Sequence, residues 1–447
     1  MKKLFYLIVA IAILGLIVPG CVPVAPSFEQ GDLSTLTKTV PPPVWVDDDA
    51  SPGWYDATHF ETIQEGITAV APYGIVNVLE GKYKEQIRIK KPLTLISDTG
   101  DYRTSGTILT GDTTIFLDAH EVSLTDVIIQ GFKFENINIS AGSDEGIIRD
   151  GEGSPVKNIT ILSNSFININ NPAIKSYINA GEEMSEGWKI IDNYIENISS
   201  NGVSGMALYT LTNSVISNNH ISDTKKAGIL LDGVENITVS ENIISNVPEQ
   251  GIQVGYAEGT TSPSSNITVV NNLVTFANTS ESSNKGGICI YPNQSNISIT
   301  ENTLTGNYNG ITVRKKPGVV NDTIHVNFNN VYDNDGFGVG NFAEGGGILD
   351  ATCNWWGHAS GPYPTGTGDA ISDNVDFEPW LLSPAPDAVC YGWYGFDKIV
   401  ECAVIAKNHG KFVSCVTHLT KDWFKDGNIN AKEKGAIMSW AAQADIP

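Results

Sequence analysis

The stretch Asn236-Ile-Thr-Val-Ser-Glu-Asn242-Ile-Ile244 decides the fold, because the chain keeps returning to it. It recurs as Asn158-Ile-Thr-Ile-Leu-Ser-Asn164-Ser-Phe166, Asn266-Ile-Thr-Val-Val-Asn-Asn272-Leu-Val274 and Asn296-Ile-Ser-Ile-Thr-Glu-Asn302-Thr-Leu304. Looser copies centre on Asn193, Asn219 and Asn329, and successive anchor asparagines stand 23 to 30 residues apart. A period of that length built from short extended units is the mark of a solenoid. Counted from each anchor, positions −5, −3 and +2 are apolar, as in Ile237, Val239 and Ile244, and only Ser214 breaks the column. Alternation at −5 and −3 is a strand with one face inward. The odd step from −3 to +2 forces a turn at the Asn if both sides are to face inward. Asn tolerates left-handed backbone angles, so the anchors Asn164, Asn193, Asn219, Asn242, Asn272, Asn302 and Asn329 are expected to form the corner themselves. Their stacked side chains are expected to hydrogen-bond from turn to turn.

A second strand follows each corner, opened by a small residue: Ala173-Ile-Lys-Ser, Gly202-Val-Ser-Gly, Gly228-Ile-Leu-Leu231, Gly251-Ile-Gln-Val254, Gly287-Ile-Cys-Ile290, Gly310-Ile-Thr-Val313 and Gly338-Val-Gly-Asn. Two or three short strands per turn make a parallel β-helix; the Leu lattice of leucine-rich repeats and the helical pattern of ankyrin or tetratricopeptide repeats are absent. With these motifs the chain resembles the right-handed parallel β-helix proteins of the pectate-lyase-like superfamily. Within it, the chain is similar to the short-repeat group of periplasmic copper-processing and surface carbohydrate-binding proteins. The resemblance covers residues 44 to 382 and implies the fold. It leaves activity open, because that superfamily holds lyases, hydrolases, esterases, epimerases and non-enzymes. The expected class is all-β: a right-handed parallel β-helix of about ten turns with an N-terminal capping helix and a small C-terminal helical module.

Residues 1–21 read as a lipoprotein-type signal peptide: Lys2 and Lys3, an apolar run from Leu4 to Val18, then Val18-Pro-Gly-Cys21, similar to a lipobox whose Cys21 takes the lipid. Residues 22–43 form a Pro/Ser/Thr-rich tether, 44–383 the β-helix with its caps, and 384–447 the helical module. Thr58-His-Phe-Glu61 has the spacing of a capping box ahead of Ile63, Ile67 and Val70, which predicts the helix that covers the open first turn. Phe132 at an anchor position suits a first turn against that cap. Cys353-Asn-Trp-Trp-Gly357 and Val375-Asp-Phe-Glu-Pro-Trp-Leu381 read as an aromatic plug over the last turn. In an exported protein a disulfide is expected among Cys390, Cys402 and Cys415, whereas Cys289 points outward and is expected to be a free thiol. Four Met and seven His scattered along the chain give no support to a copper role.

A formal charge of −23 excludes nucleic acid as a partner and disfavours anionic lipid and polyuronates. The expected partner is a neutral glycan or a cell-surface protein, with the membrane reached through the lipid anchor and the protein a monomer outside the cytoplasm. The resemblance implies that a catalytic site would set outward carboxylates or bases in register on neighbouring turns. The outward column Lys175, Ser204, Leu230, Gln253, Cys289, Thr312 and Gly340 holds no acidic or basic pair. The one acidic column lies beside the corner, where Asp192, Glu241 and Glu301 are the candidate carboxylates, alternate turns giving a separation of ~9–10 Å, near the limit for an inverting glycosidase. Calcium is the one cofactor the sequence admits, either at Asp47-Asp-Asp49 or in the helical module. There Asp422, Asp426, Asn428, Asn430 and Glu433 match an EF-hand or dockerin loop, but Phe424 stands where an oxygen ligand is needed. Glycan or protein binding is the function expected first, a polysaccharide hydrolase or lyase second, and a structural adhesion rod third.

Overall fold

The computed structural model describes residues 41–447 except 121–122, 140–145, 152–153, 178–182, 257–262, 315–322, 343–346, 387–389, 391–395, 430–433, 436, 439–440 and 443–447. Cys21, the signal-like segment and the tether up to residue 40 lie outside the described residues. Three strands make one turn of the coil, for example Glu235–Ser240, Ile243–Val247 and Ile252–Val254. Each pairs in parallel with its counterpart in the next turn, Ser265–Val270, Leu273–Ala277 and Ile288–Ile290. Stacking builds three parallel sheets of 15, 10 and 12 strands. The first carries the strand before the anchor, the second the strand after it, and the third the strand opened by glycine. The register sets Ile237, Ile267, Ile297 and Ile324 in one file, each at most 3 % exposed. The coil is thus a bore filled by branched aliphatics from three sides, stable because each turn covers the apolar face of the one before.

The corner is built differently from the sequence expectation. The left-handed residue is the one before the anchor: Ser163, Asp192, Asn218, Glu241, Asn271, Glu301, Phe328 and Cys353 have φ between 51° and 58°. The anchor Asn turns its side chain into the bore, where it is at most 1 % exposed. Each Nδ2 donates to the Oδ1 of the next anchor at 2.9–3.1 Å, from Asn164 through to Asn329. The same Oδ1 accepts the preceding anchor's backbone N–H. The Asn is required because the bend leaves main-chain groups without sheet partners in a dry interior, and one carboxamide satisfies both kinds. Asn354 extends the file one turn beyond the sequence count, accepting from Asn329 at 3.0 Å.

At the N-terminal end, α1 (Ile63–Ala69) buries Ile63, Gly66 and Ile67. Its capping box is Thr62 with Glu65, one turn later than expected. Thr58 instead bonds Asp56, and His59–Phe60 become a strand beside Val44–Val46. Phe132 lies deeper than a first turn, since the strands Gly74–Val78 and Leu93–Ser97 stack ahead of its own. At the other end Trp356 is fully buried and Trp380 8 % exposed, forming the plug. A disulfide joins Cys353 of that plug to Cys390. A second joins Cys402 to Cys415, tying α2 (Phe396–Ile405) to α3 (His409–Lys425). The sequence reading had left Cys353 out of any pairing. Phe412, Val416, Thr420 and Trp423 form the buried stripe of α3. No helix among the described residues is long and apolar enough to cross a membrane.

Candidate functional site

The third sheet's outward column starts earlier than the repeat pattern revealed. The register runs Arg88, Phe116, Arg149, Lys175, Ala207, Leu230, Gln253, Cys289, Thr312, Gly340. Ala207 replaces the expected Ser204, because the strand there is Met206–Tyr209. Two bases, Arg149 and Lys175, are cross-strand neighbours after all, which overturns the reading that the column holds no basic pair. Outward does not mean wet either. Gln253 is 1 % exposed, and Cys289 and Thr312 are fully buried, so the far half of this face is covered by other parts of the chain. The Cys289 thiol is free as expected but inaccessible, and burial pushes it up to about 11.

The near half forms a cleft of about 750 Å³, in which Arg88 and Arg149 reach solvent while Phe116 and Lys175 lie beneath them, 7 % and 6 % exposed. Its floor sets three cations, Arg88, Arg149 and Lys175, around Phe116 on four successive turns. The Arg88 and Arg149 guanidinium carbons lie 5.2 and 4.5 Å from the Phe116 ring centre. Lys175 Nζ lies 5.4 Å from the Tyr177 ring and 5.9 Å from the Tyr209 ring, and those two rings meet edge to face at 5.9 Å. The ring faces carry negative quadrupole, so each pair is attractive and fixes both partners. One wall carries Asp118, whose Oδ2 takes Arg88 at 3.1 Å and Lys90 at 3.5 Å. Its Oδ1 meets His120 Nδ1 at 3.0 Å and the His120 amide at 3.2 Å. Burial works against ionisation of Asp118, but the His120 amide and ring, Arg88 and Lys90 outweigh it and hold the carboxyl below its ordinary value. The arrangement can bind anionic or hydroxyl-rich chains and present an imidazole oriented by a carboxylate.

The sites read from the sequence lie elsewhere. Asp192 is bound by both Arg103 nitrogens and by Ser163 Oγ at 2.7 Å. It serves as a clamp for the segment around Arg103, and the Arg103 bonds hold its carboxyl low. Glu241 and Glu301 stand exposed at left-handed corner positions. Asp422 belongs to α3, Asp426 is its C-cap and Asn428 donates its amide to Trp423 O at 2.9 Å, an ordinary helix end. Asn430 and Glu433 lie outside the described residues. Asp47, Asp48 and Asp49 bring one oxygen each within 4.8 Å of the others. Asp48 Oδ2 accepts the Lys82 amide at 3.2 Å, so that cluster is bonded into the N-terminal cap.

Fold and cleft together define a right-handed parallel β-helix protein with a cationic and aromatic groove on its third sheet. Residues 181–330 match the family model of the right handed beta helix region. No curated protein matches the chain. Among solved structures, the chain is similar to the A-module of a mannuronan C-5 epimerase from Azotobacter vinelandii, at 13 % identity and a TM-score of 0.41, covering 65 % of this chain and 73 % of that one. It is also similar to the catalytic unit of an α-1,3-glucanase from Streptomyces thermodiastaticus, at 15 % identity and 0.45, covering 71 % and 65 %. A surface adhesin of Streptococcus pneumoniae matches at 14 % identity and 0.38, covering 66 % and 86 %.

Proposed function

We propose that the protein binds an acidic polysaccharide along the outer face of its third sheet. The observation that carries this reading is the line Arg88, Phe116, Arg149, Lys175, three cations around one ring on four successive turns, with Tyr177 and Tyr209 beside it. Successive strands repeat every ~4.8 Å, close to the spacing at which a glycan presents one ring after another. Guanidinium forks take sugar carboxylates bidentately, and Tyr177, an exposed ring at the cleft, can take the apolar face of a pyranose. This replaces the neutral ligand inferred from net charge, because a local field of one sign can persist in a chain of opposite total charge. Calorimetry with an oligouronate and a neutral oligoglucan of equal length tests it. The acidic ligand should bind, and Arg149→Ala should weaken it about tenfold or more, as expected for one charge-assisted contact. Equal affinity for both ligands would sink the reading.

The Asp118–His120 pair favours a second reading, an enzyme of the polysaccharide hydrolase or lyase class, since a carboxylate-oriented imidazole beside bases is the equipment of proton abstraction. Release of shortened or unsaturated chains, lost in His120→Ala with binding retained, would establish it. Tethering through a lipid on Cys21 and residence outside the cytoplasm complete the proposal; the two disulfides, which persist in oxidising compartments, support the latter. Cys21→Ala should move the protein from the membrane fraction to the soluble one.

A further inference from the structure

Asp150 is 3 % exposed and faces into the bore, in register with Leu117 of the previous turn. An acid there is costly, because the surrounding file is aliphatic. What it holds is specific. Oδ1 accepts the Tyr177 amide at 2.6 Å and Oδ2 accepts the Ser185 hydroxyl at 2.9 Å. The next inward residue, Ser176, does the equivalent one turn on: its Oγ accepts the Tyr209 amide at 3.1 Å and donates to Tyr209 O at 3.0 Å.

Elsewhere on this sheet, the residue just past the inward position donates its amide to a backbone carbonyl of the preceding turn. Gly255 bonds Leu231 O at 2.7 Å, Tyr291 bonds Val254 O at 2.8 Å and Arg314 bonds Ile290 O at 2.8 Å. A side chain takes over that task at Tyr177, and the Ser176 hydroxyl supplies an acceptor for the amide of Tyr209; these are the two aromatic residues packed around Lys175 Nζ. A main-chain acceptor would close the turn equally well. With side-chain acceptors on these amides, the position of the rings depends on residues that can be replaced.

Building on the acidic-glycan reading, we propose that Asp150 and Ser176, though buried, are positioning residues that fix Tyr177 in the wall of the cleft and Tyr209 packed against it. Asp150 acts on the cleft through the Tyr177 main chain, and Arg149, its charged neighbour on the same strand, faces the other way onto Phe116.

The test uses Asp150→Leu, Asp150→Asn and Ser176→Ala in the full chain. Amide hydrogen exchange without ligand comes first. Asp150→Leu should speed exchange at Tyr177 about tenfold and Ser176→Ala should do so at Tyr209, with the Tyr291 and Arg314 amides unchanged, and Asp150→Asn, which keeps one acceptor oxygen, should restore Tyr177. Oligouronate calorimetry comes second, where Asp150→Leu should raise Kd about tenfold and Asp150→Asn should stay within about threefold of wild type. Unchanged exchange at both tyrosines overturns the positioning role, as does altered exchange with unaltered Kd. A wild-type protein that ignores oligouronate defeats the acidic-glycan reading instead, and the exchange data still decide whether the two side chains hold the tyrosines. Should Asp150→Leu fail to fold, Ser176→Ala decides at Tyr209.

Discussion

Glu241 and Asn242 are neighbours in the chain with opposite demands on them. Glu241 needs only to tolerate a φ of 57° on the surface. Asn242 must serve Asn219 and Asn272 in a fully dry file. Glu241→Asn should therefore leave calorimetric stability unchanged or raise it by a few tenths of a kcal/mol, because Asn accepts left-handed angles more readily. Asn242→Leu removes the acceptor of the Asn219 amide and the side-chain donor to Ile216 O, and should cost about 2–6 kcal/mol at ~1–3 kcal/mol for each buried orphan. Asp150 makes a prediction about pH. Burial raises its carboxyl from 3.8 to about 7 despite the Tyr177 and Ser185 bonds. The native state thus holds the proton more tightly than the unfolded chain, and the stability this contributes is complete below about pH 4 and lost as pH rises to about 7. Thermal melts of Asp150→Asn against wild type should show the variant gaining relative stability between pH 4 and pH 8, by on the order of a few kcal/mol; a constant difference across that range refutes it. The importance of Asn242 was legible in the sequence, because a repeated anchor shows itself. That the left-handed angle belongs to position −1 was not, since Asn218 and Asn271 are outnumbered there by Ser, Asp, Glu, Phe and Cys, and the constant Asn one residue on drew the assignment to itself.

At the scale of elements, the same limit hid the cleft. The strand Ile148–Asp150 belongs to a turn whose corner carries Phe132 in place of Asn, so the column could not be traced back from Lys175 to Arg149. The Lys175–Tyr177–Tyr209 grouping depends on turns of unequal length, which no fixed period displays. The capping helix was visible as apolar spacing, while its true cap at Thr62 lost to a better-looking box that the chain spends on an edge strand. The C-terminal helices are a separable element: their core of Ile399, Cys402, Phe412, Val416, Trp423 and Ile437 is its own. The Cys402–Cys415 bridge closes 13 residues, worth about 3 kcal/mol in the loop-entropy account. Replacing this bridge alone, with Cys402→Ser and Cys415→Ser together, should lower helical circular dichroism near 222 nm while the β-helix melt stays put; a concerted loss of both would show the module to be integral to the coil.

For the molecule as a whole, the stacking of turns predicts tolerance to removal of a complete period. Asn242 and Asn272 are 30 residues apart. Deleting residues 243–272 should therefore rejoin the Asn file in register and give a folded protein with a lower Tm, because each turn meets only its neighbours. A deletion shorter by five residues should aggregate, since apolar and polar faces no longer align. Net charge acts at this scale too. The cleft is cationic in a chain of −23, so raising salt weakens the local attraction to an acidic glycan and also the long-range repulsion of it. Oligouronate Kd should rise with ionic strength if the contact charges dominate, and a fall in Kd would locate recognition outside the cleft.

The file of asparagines also has a direction. Every carboxamide points its nitrogen toward the following turn, so the dipoles add along the axis and each bond polarises the next. Its beginning is closed by the Phe132 amide, which donates to Asn164 at 3.0 Å. Its end is closed by Asn354, whose nitrogen bends back to Ala351 O at 2.7 Å and offers nothing onward. A coil of this kind is by nature a template onto which another molecule could add its own turns. Satisfying the last donor internally ends that propagation, so the interior that specifies the fold also forbids it from continuing into a fibre.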